Sequence, residues 1–161
     1  MDDWRERIKE CGDDGLSEAL IGAIEELFAR DRHLLEINVH ENTIAAMLRS
    51  YLQPRVGYAP EDGVPWDVDF DYNRRQAMVK TINGVQNVRP DLIVHRRNTD
   101  INHLAVELKK GSSGSPDEGD LKNLAAYLLP LEDFGLGYRY ALFLRFGVGD
   151  DAGKVACVRW L

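Results

Sequence analysis

Val64, Trp66, Val68, Phe70 and Tyr72 alternate with Pro65, Asp67, Asp69, Asp71 and Asn73, the clearest period-two pattern in the chain. Side chains on a strand point to opposite faces in turn, so this run predicts a strand with one apolar face. Further runs predict strands of the same sheet. Leu92 and Val94 point one way while Asp91, Ile93 and His95 point the other. Leu104, Val106 and Leu108 alternate with Ala105, Glu107 and Lys109. Asn98, Thr99, Asp100 and Asn102 suit a hairpin connection between these two. Tyr138 to Phe146 is rich in strand formers and suits a buried strand. Val155 to Trp160 offers a last strand after a turn over Gly147 to Gly153. Between residues 76 and 88 the pattern is open: Ala77 to Ile82 fits a short strand, and Asn83-Gly84 is a tight-turn pair.

Elsewhere the period changes to that of a helix. Leu16, Leu20, Ile24, Leu27 and Phe28 predict an amphipathic helix over 16–30, capped by Asp13 or Asp14. Residues 1–15 are polar and acidic and read as a loosely docked start, so 1–37 form a helical extension to a core over 38–146. A second helix runs from about Val39 to Gln53 and stops at Pro54, with Ile44, Leu48, Tyr51 and Leu52 inward. Asn38 and Glu41 have capping-box spacing at its start. Ser115, Pro116 and Glu118 read as N-cap, first-turn proline and N3 acid of a third helix, with Leu121, Leu124, Ala125 and Leu128 as its buried face. The expectation is one α/β domain with a mixed central sheet flanked by helices.

Length and composition agree with that. The chain has 161 residues, 44% hydrophobic and 29% charged, enough for a substantial core. Cys11 and Cys157 are far apart and form no metal-binding spacing. No apolar run reaches membrane-spanning length and the start does not read as a signal peptide, so a cytoplasmic location is the expectation.

Charge changes the picture more. A net charge of −7 argues against a non-specific, highly basic nucleic-acid binder. Its distribution is uneven: residues 1–71 carry seventeen acids against seven bases, whereas 72–97 hold six bases and Asp91 as the single acid. Arg74, Arg75, Arg96 and Arg97 in that basic stretch are candidates for phosphate contacts on the rim of a site.

The site itself is suggested by two acids. If the strands containing Leu92 and Val106 pair, Asp91 and Glu107 become cross-strand neighbours, with Lys109 further along the same face. Like charges placed opposite each other on a sheet are destabilising, and a cation between them removes the penalty. Hard oxygen donors in small number suit Mg²⁺ or Mn²⁺, and a lysine beside such a site can stabilise a developing anionic oxygen. These parts perform metal-assisted hydrolysis of a phosphodiester. The bland reading is a solvated sheet face on which Asp91 and Glu107 each pair with a side-chain cation.

At Pro90-Asp91 and Glu107-Leu108-Lys109 the chain resembles the PD-(D/E)XK nuclease superfamily, whose motif is Pro-Asp followed by Glu-x-Lys. The resemblance covers about residues 38–146 and implies a restriction-endonuclease-like α-β-β-β-α-β core. It implies that Asp91, Glu107 and the Leu108 carbonyl hold Mg²⁺ or Mn²⁺, and that Lys109 positions water and stabilises the transition state. Glu41, on the helix before the sheet, would hold a second metal or its water, a role weighed against that of a helix cap. Lys122, on the helix after the motif, would reach the site, although an exposed surface lysine is the default. The implied partner is nucleic acid, DNA favoured. A separate recognition domain is missing, so specificity would come from loops, an oligomer or a protein partner. The alternative is a nucleic-acid- or protein-binding module that keeps the fold without turnover.

Overall fold

The computed structural model describes residues 3–70, 89–133 and 135–161, with the backbone of four two-residue strand segments between Arg74 and Gln86. The chain opens with helix α1 (Trp4–Lys9), capped by Asp3, whose side chain accepts from the Arg5 amide. This segment is docked rather than loose. Ile8 is fully buried, Trp4 packs edge-on against Phe28 at 6.4 Å, and the Trp160 indole donates to the Arg7 carbonyl. Two apolar side chains on one side of a single turn anchor an otherwise acidic stretch.

Helix α2 (Asp14–Glu36) starts at the Asp13 cap and buries Leu16, Leu20, Ala23, Ile24 and Leu27. It runs past its expected end through a kink at Asp31 (φ −125°, ψ 20°). Asn38 then turns the chain in a left-handed conformation (φ 55°). That removes the capping box expected from Asn38 and Glu41: His40 is the N-cap of α3 (Glu41–Leu52), and it makes no side-chain capping bond. Asparagine suits the left-handed position that ends a helix.

Five strands form one sheet in chain order: β1 (Asp67–Phe70), β2 (Leu92–His95), β3 (Asn102–Lys110), β4 (Tyr140–Phe146) and β5 (Val155–Trp160). β3 and β4 are parallel and every other neighbouring pair is antiparallel. A parallel pair needs a crossover, supplied by α4 (Glu118–Leu128). The first strand is shorter than the alternating pattern suggested. Tyr58 bridges Pro65 and the Trp66 amide bonds the Gly57 carbonyl, so residues 64–66 fold back on 57–59 across a turn at 60–62. Because β1 is an edge strand, its outer backbone groups need partners. Gln53 accepts from the Val68 amide and donates to the Trp66 carbonyl, and Arg49 donates to the Val68 carbonyl. Arg74–Arg75 pairs with Met78–Val79 and Thr81–Ile82 with Val85–Gln86, both outside the main sheet; of the strand expected over Ala77 to Ile82, Ala77 and Lys80 lie outside the described residues. Asn83-Gly84 lies outside the described residues.

The sheet separates two cores. Leu92, Val94, Leu104, Val106, Leu108, Leu142 and Leu144 pack with α1, α2 and α3, while Ile93, Ala105, Ala141 and Phe143 pack with Leu124 and Tyr127 of α4. Among the described residues no helix is long and apolar enough to cross a membrane.

Docking of α1 is testable. Ile8→Ala removes a fully buried side chain and should cost about 2–4 kcal/mol in urea unfolding. A loss near zero would mean that α1 is not part of the cooperative fold.

Candidate active site

The site is built where β2 and β3 begin to part. Leu92 pairs with Val106, and the Asp91 amide donates to the Val106 carbonyl at 3.0 Å, so Asp91 stands opposite Glu107 as expected. The Asp91 carboxylate accepts from the Leu108 amide at 2.7 Å. Within a strand the N–H and C=O of one residue project toward the same edge. The Leu108 carbonyl therefore faces the side on which Asp91 sits.

Glu107 and Lys109 follow on the α4 face. Glu107 is buried, and its Oε1 accepts from the Tyr127 hydroxyl at 2.5 Å. Burial raises the Glu107 carboxyl to about 7, and the neighbouring Asp91 charge adds to the rise against the opposing pull of Tyr127 and Lys109. Lys109 is partly exposed, with its ammonium 3.7 Å from Asp120. Burial alone would lower it, but Asp120, Glu41, Glu107 and Asp91 together hold it above its ordinary value. Lys109 is thus a cation in the field of four acids, unsuited to accepting a proton. Glu41, at the start of α3, brings an oxygen to this field that is buried and has no hydrogen-bond partner. The Lys110 ammonium bonds the Val39 carbonyl at 2.6 Å, which ties the start of α3 to the end of β3.

α4 contributes residues that the sequence reading passed over. Its N-cap is Asp117, in a reciprocal capping box with Asp120, in place of Ser115. Asp120, Leu124 and Tyr127, at spacings of four and three, form its inward stripe. Leu121 and Ala125 do not lie on that stripe, and Lys122 is exposed on the outer side, away from Glu107. A signal for Tyr127 was present: a tyrosine on a buried helix face requires a partner for its hydroxyl.

Two of the arginines expected on the rim, Arg96 and Arg97, lie elsewhere. Arg96 and Arg97 follow the far end of β2, a strand length from Asp91. Arg96 pairs with Asp62 and Asp67, and Arg97 grips Asp69 through two nitrogens. The acids of β1 and of the loop before it draw these guanidiniums inward. His95 also bonds Asp69 at 2.8 Å, so Asp69 belongs to this cluster and not to the site. Arg74, Arg75 and Asp71 fall outside the side chains that the structure describes.

The donors present are all hard oxygens: the carboxylates of Asp91 and Glu107 and the Leu108 carbonyl. No group of three or more His, Cys, Asp or Glu arranged to hold a metal ion occurs among the described residues. Mg²⁺ binds through one or two carboxylates and keeps several waters, so this set fits Mg²⁺ or Mn²⁺ and does not fit a structural zinc. Glu107 makes no cation pair among the described residues; its partner is the neutral phenol of Tyr127, which occupies Oε1 and leaves Oε2 for a ligand.

The raised carboxyl has a stability consequence with a definite sign. Its folded value lies above its unfolded one, so its contribution is complete below about pH 4.5 and is lost as pH rises through about 7. Glu107→Gln should melt with the parent near pH 4.5 and exceed it by up to about 3 kcal/mol near pH 8. A difference independent of pH would show that Glu107 is charged throughout.

Comparison with protein-family models, with curated proteins and with solved structures finds no match to this chain.

Proposed function

We propose that the protein is a Mg²⁺- or Mn²⁺-dependent nuclease of the PD-(D/E)XK type, hydrolysing phosphodiester bonds of nucleic acid, with DNA the favoured substrate. One observation carries the reading. Asp91, immediately before β2, and Glu107 and Lys109 of β3 lie at one end of the sheet, and an unpartnered buried oxygen of Glu41 shares the same field. Hydrophobic packing alone gives no reason to gather four acids around one lysine. The order of helix, three antiparallel strands, helix and parallel strand agrees with the core that the resemblance implies.

Asp91 and Glu107 would hold the ion, with the Leu108 carbonyl as a third donor. When bound, the ion supplies Lewis acidity toward the phosphoryl oxygens and a more acidic water. Hydrolysis forms a bond from a water oxygen to phosphorus and breaks one ester P–O bond. Lys109, held by Asp120, donates to the charge that grows on the non-bridging oxygens, a contact stronger in the transition state than in the ground state. Tyr127 fixes the Glu107 carboxylate, and the Leu108 amide fixes that of Asp91.

Cleavage of plasmid and labelled oligonucleotide with Mg²⁺, Mn²⁺ or EDTA tests this. Asp91→Asn and Glu107→Gln should lose both metal affinity in calorimetry and turnover. Lys109→Ala should keep or improve metal binding while single-turnover cleavage falls by about 10²–10³-fold. Glu41→Gln should cut turnover if Glu41 serves the site, and only stability if it is a structural acid. A parent that binds nucleic acid but never cleaves it would replace this reading with that of a binding module.

A further inference from the structure

We infer that the nucleic-acid backbone is received by a row of cations that crosses the sheet on the α4 side, from Lys109 through Arg145 to Arg159 and Lys122. This rests on the nuclease reading of the site and adds the path that the bound strand takes away from it.

Strand register sets the row. Lys109 is paired with Arg145, Arg145 with Cys157, and Phe143 with Arg159. Ala141 and Phe143 face α4, so Arg145, two residues on, faces the same way, and Cys157 packs against that same core. With strands about 4.8 Å apart and about 3.3 Å per residue along each, Lys109 and Arg159 are separated by roughly 12 Å at the backbone. One nucleic-acid strand places a phosphate every ~3.4 Å of axis, so the row matches several successive phosphates. Beyond it, α4 and β5 enclose an open groove of about 760 Å³ lined by Leu121, Lys122, Ala125, Arg159 and Leu161, with Glu118 at its edge.

Beyond Lys109, which stands 3.7 Å from Asp120, the cations of the row have no acidic partner among the described residues. Several arginines elsewhere are neutralised locally: Arg30 and Arg55 by Glu26, Arg32 by Glu36, and Arg96 and Arg97 by the acids of β1. Among the described residues, Lys122, Arg145 and Arg159 have no carboxylate at ion-pair distance. Arg145 donates to the Gly114 and Lys110 carbonyls, which satisfies two N–H groups and leaves its charge uncompensated beside Lys109. The Cys157 thiol is raised by burial, against the opposing pull of Arg145, Arg7 and Arg159. Like charges on neighbouring strands are destabilising unless an anion joins them. In a protein of net charge −7, such a patch is where a polyanion can be held.

Anisotropy titrations of labelled single- and double-stranded DNA and RNA oligonucleotides in EDTA separate binding from chemistry. Lys122→Glu with Arg159→Glu should weaken binding tenfold or more at about 50 mM salt and reduce the slope of log Kd against log salt by about two. Arg30→Glu, on the far side of the molecule, should change neither. Both substitutions of the pair are at the surface; should the double variant unfold, the parent gives a second readout. Bound oligonucleotide should slow alkylation of Cys157, read by mass spectrometry, and leave Cys11 unaffected. An unchanged affinity and slope in the double variant, equal loss in Arg30→Glu, no protection of Cys157, or a parent that does not bind at low salt would each overturn the row. Cleavage is measured separately with metal. A parent that cuts while the double variant binds normally sinks the row and spares the nuclease reading. A parent that never cuts while the double variant loses binding does the reverse.

Discussion

The pairing of β2 with β3 is the constraint on which the rest depends. It places Asp91 opposite Glu107, an arrangement that repulsion between carboxylates opposes. Three features offset that repulsion. Asp91 takes the Leu108 amide, Glu107 takes the Tyr127 hydroxyl, and the Glu107 carboxyl is raised by burial to about 7, so that it holds its proton at mildly acidic pH. The first two also fix one oxygen of each carboxyl in place. Preorganisation of this kind is what makes a small donor set effective.

The two ends of the same strand illustrate opposite electrostatic solutions. Past His95, acids and arginines are matched. Burial alone would raise Asp69, but His95 and Arg97 outweigh it and hold its carboxyl well below the usual range. At the Asp91 end the acids outnumber the one lysine among them, and an oxygen of Glu41 has no partner. Complete neutralisation serves stability, whereas the excess of acids at the Asp91 end is what the proposed metal site rests on. Gly111, at φ 144°, lets the chain leave β3 immediately beyond Lys110 and enter the loop that leads to α4.

α4 links the site to the proposed binding row. Its inner stripe carries Asp120 and Tyr127 to Lys109 and Glu107, and its outer side presents Lys122 beside Arg159. A single eleven-residue helix thus orients the acids of the site with one face and borders a cationic groove with the other.

The sequence by itself determined the strands, the α/β class and the Asp91, Glu107 and Lys109 set, because period-two alternation forces the register that brings these residues to one face. It also carried the helix of α2 and a cap at Asp13 or Asp14, both local properties, of which the structure uses Asp13. It did not determine what the arginines do: a basic stretch reads as a rim until β1 is seen to lay Asp67 and Asp69 against Arg96 and Arg97. Nor did it decide which face of α4 turns inward, since Leu121, Leu124, Ala125 and Leu128 make as good a stripe on paper as Asp120, Leu124 and Tyr127. Those choices fell to tertiary structure, for a physical reason: a charge or a hydroxyl takes its role from the partner that packing brings to it, and these partners lie tens of residues away along the chain.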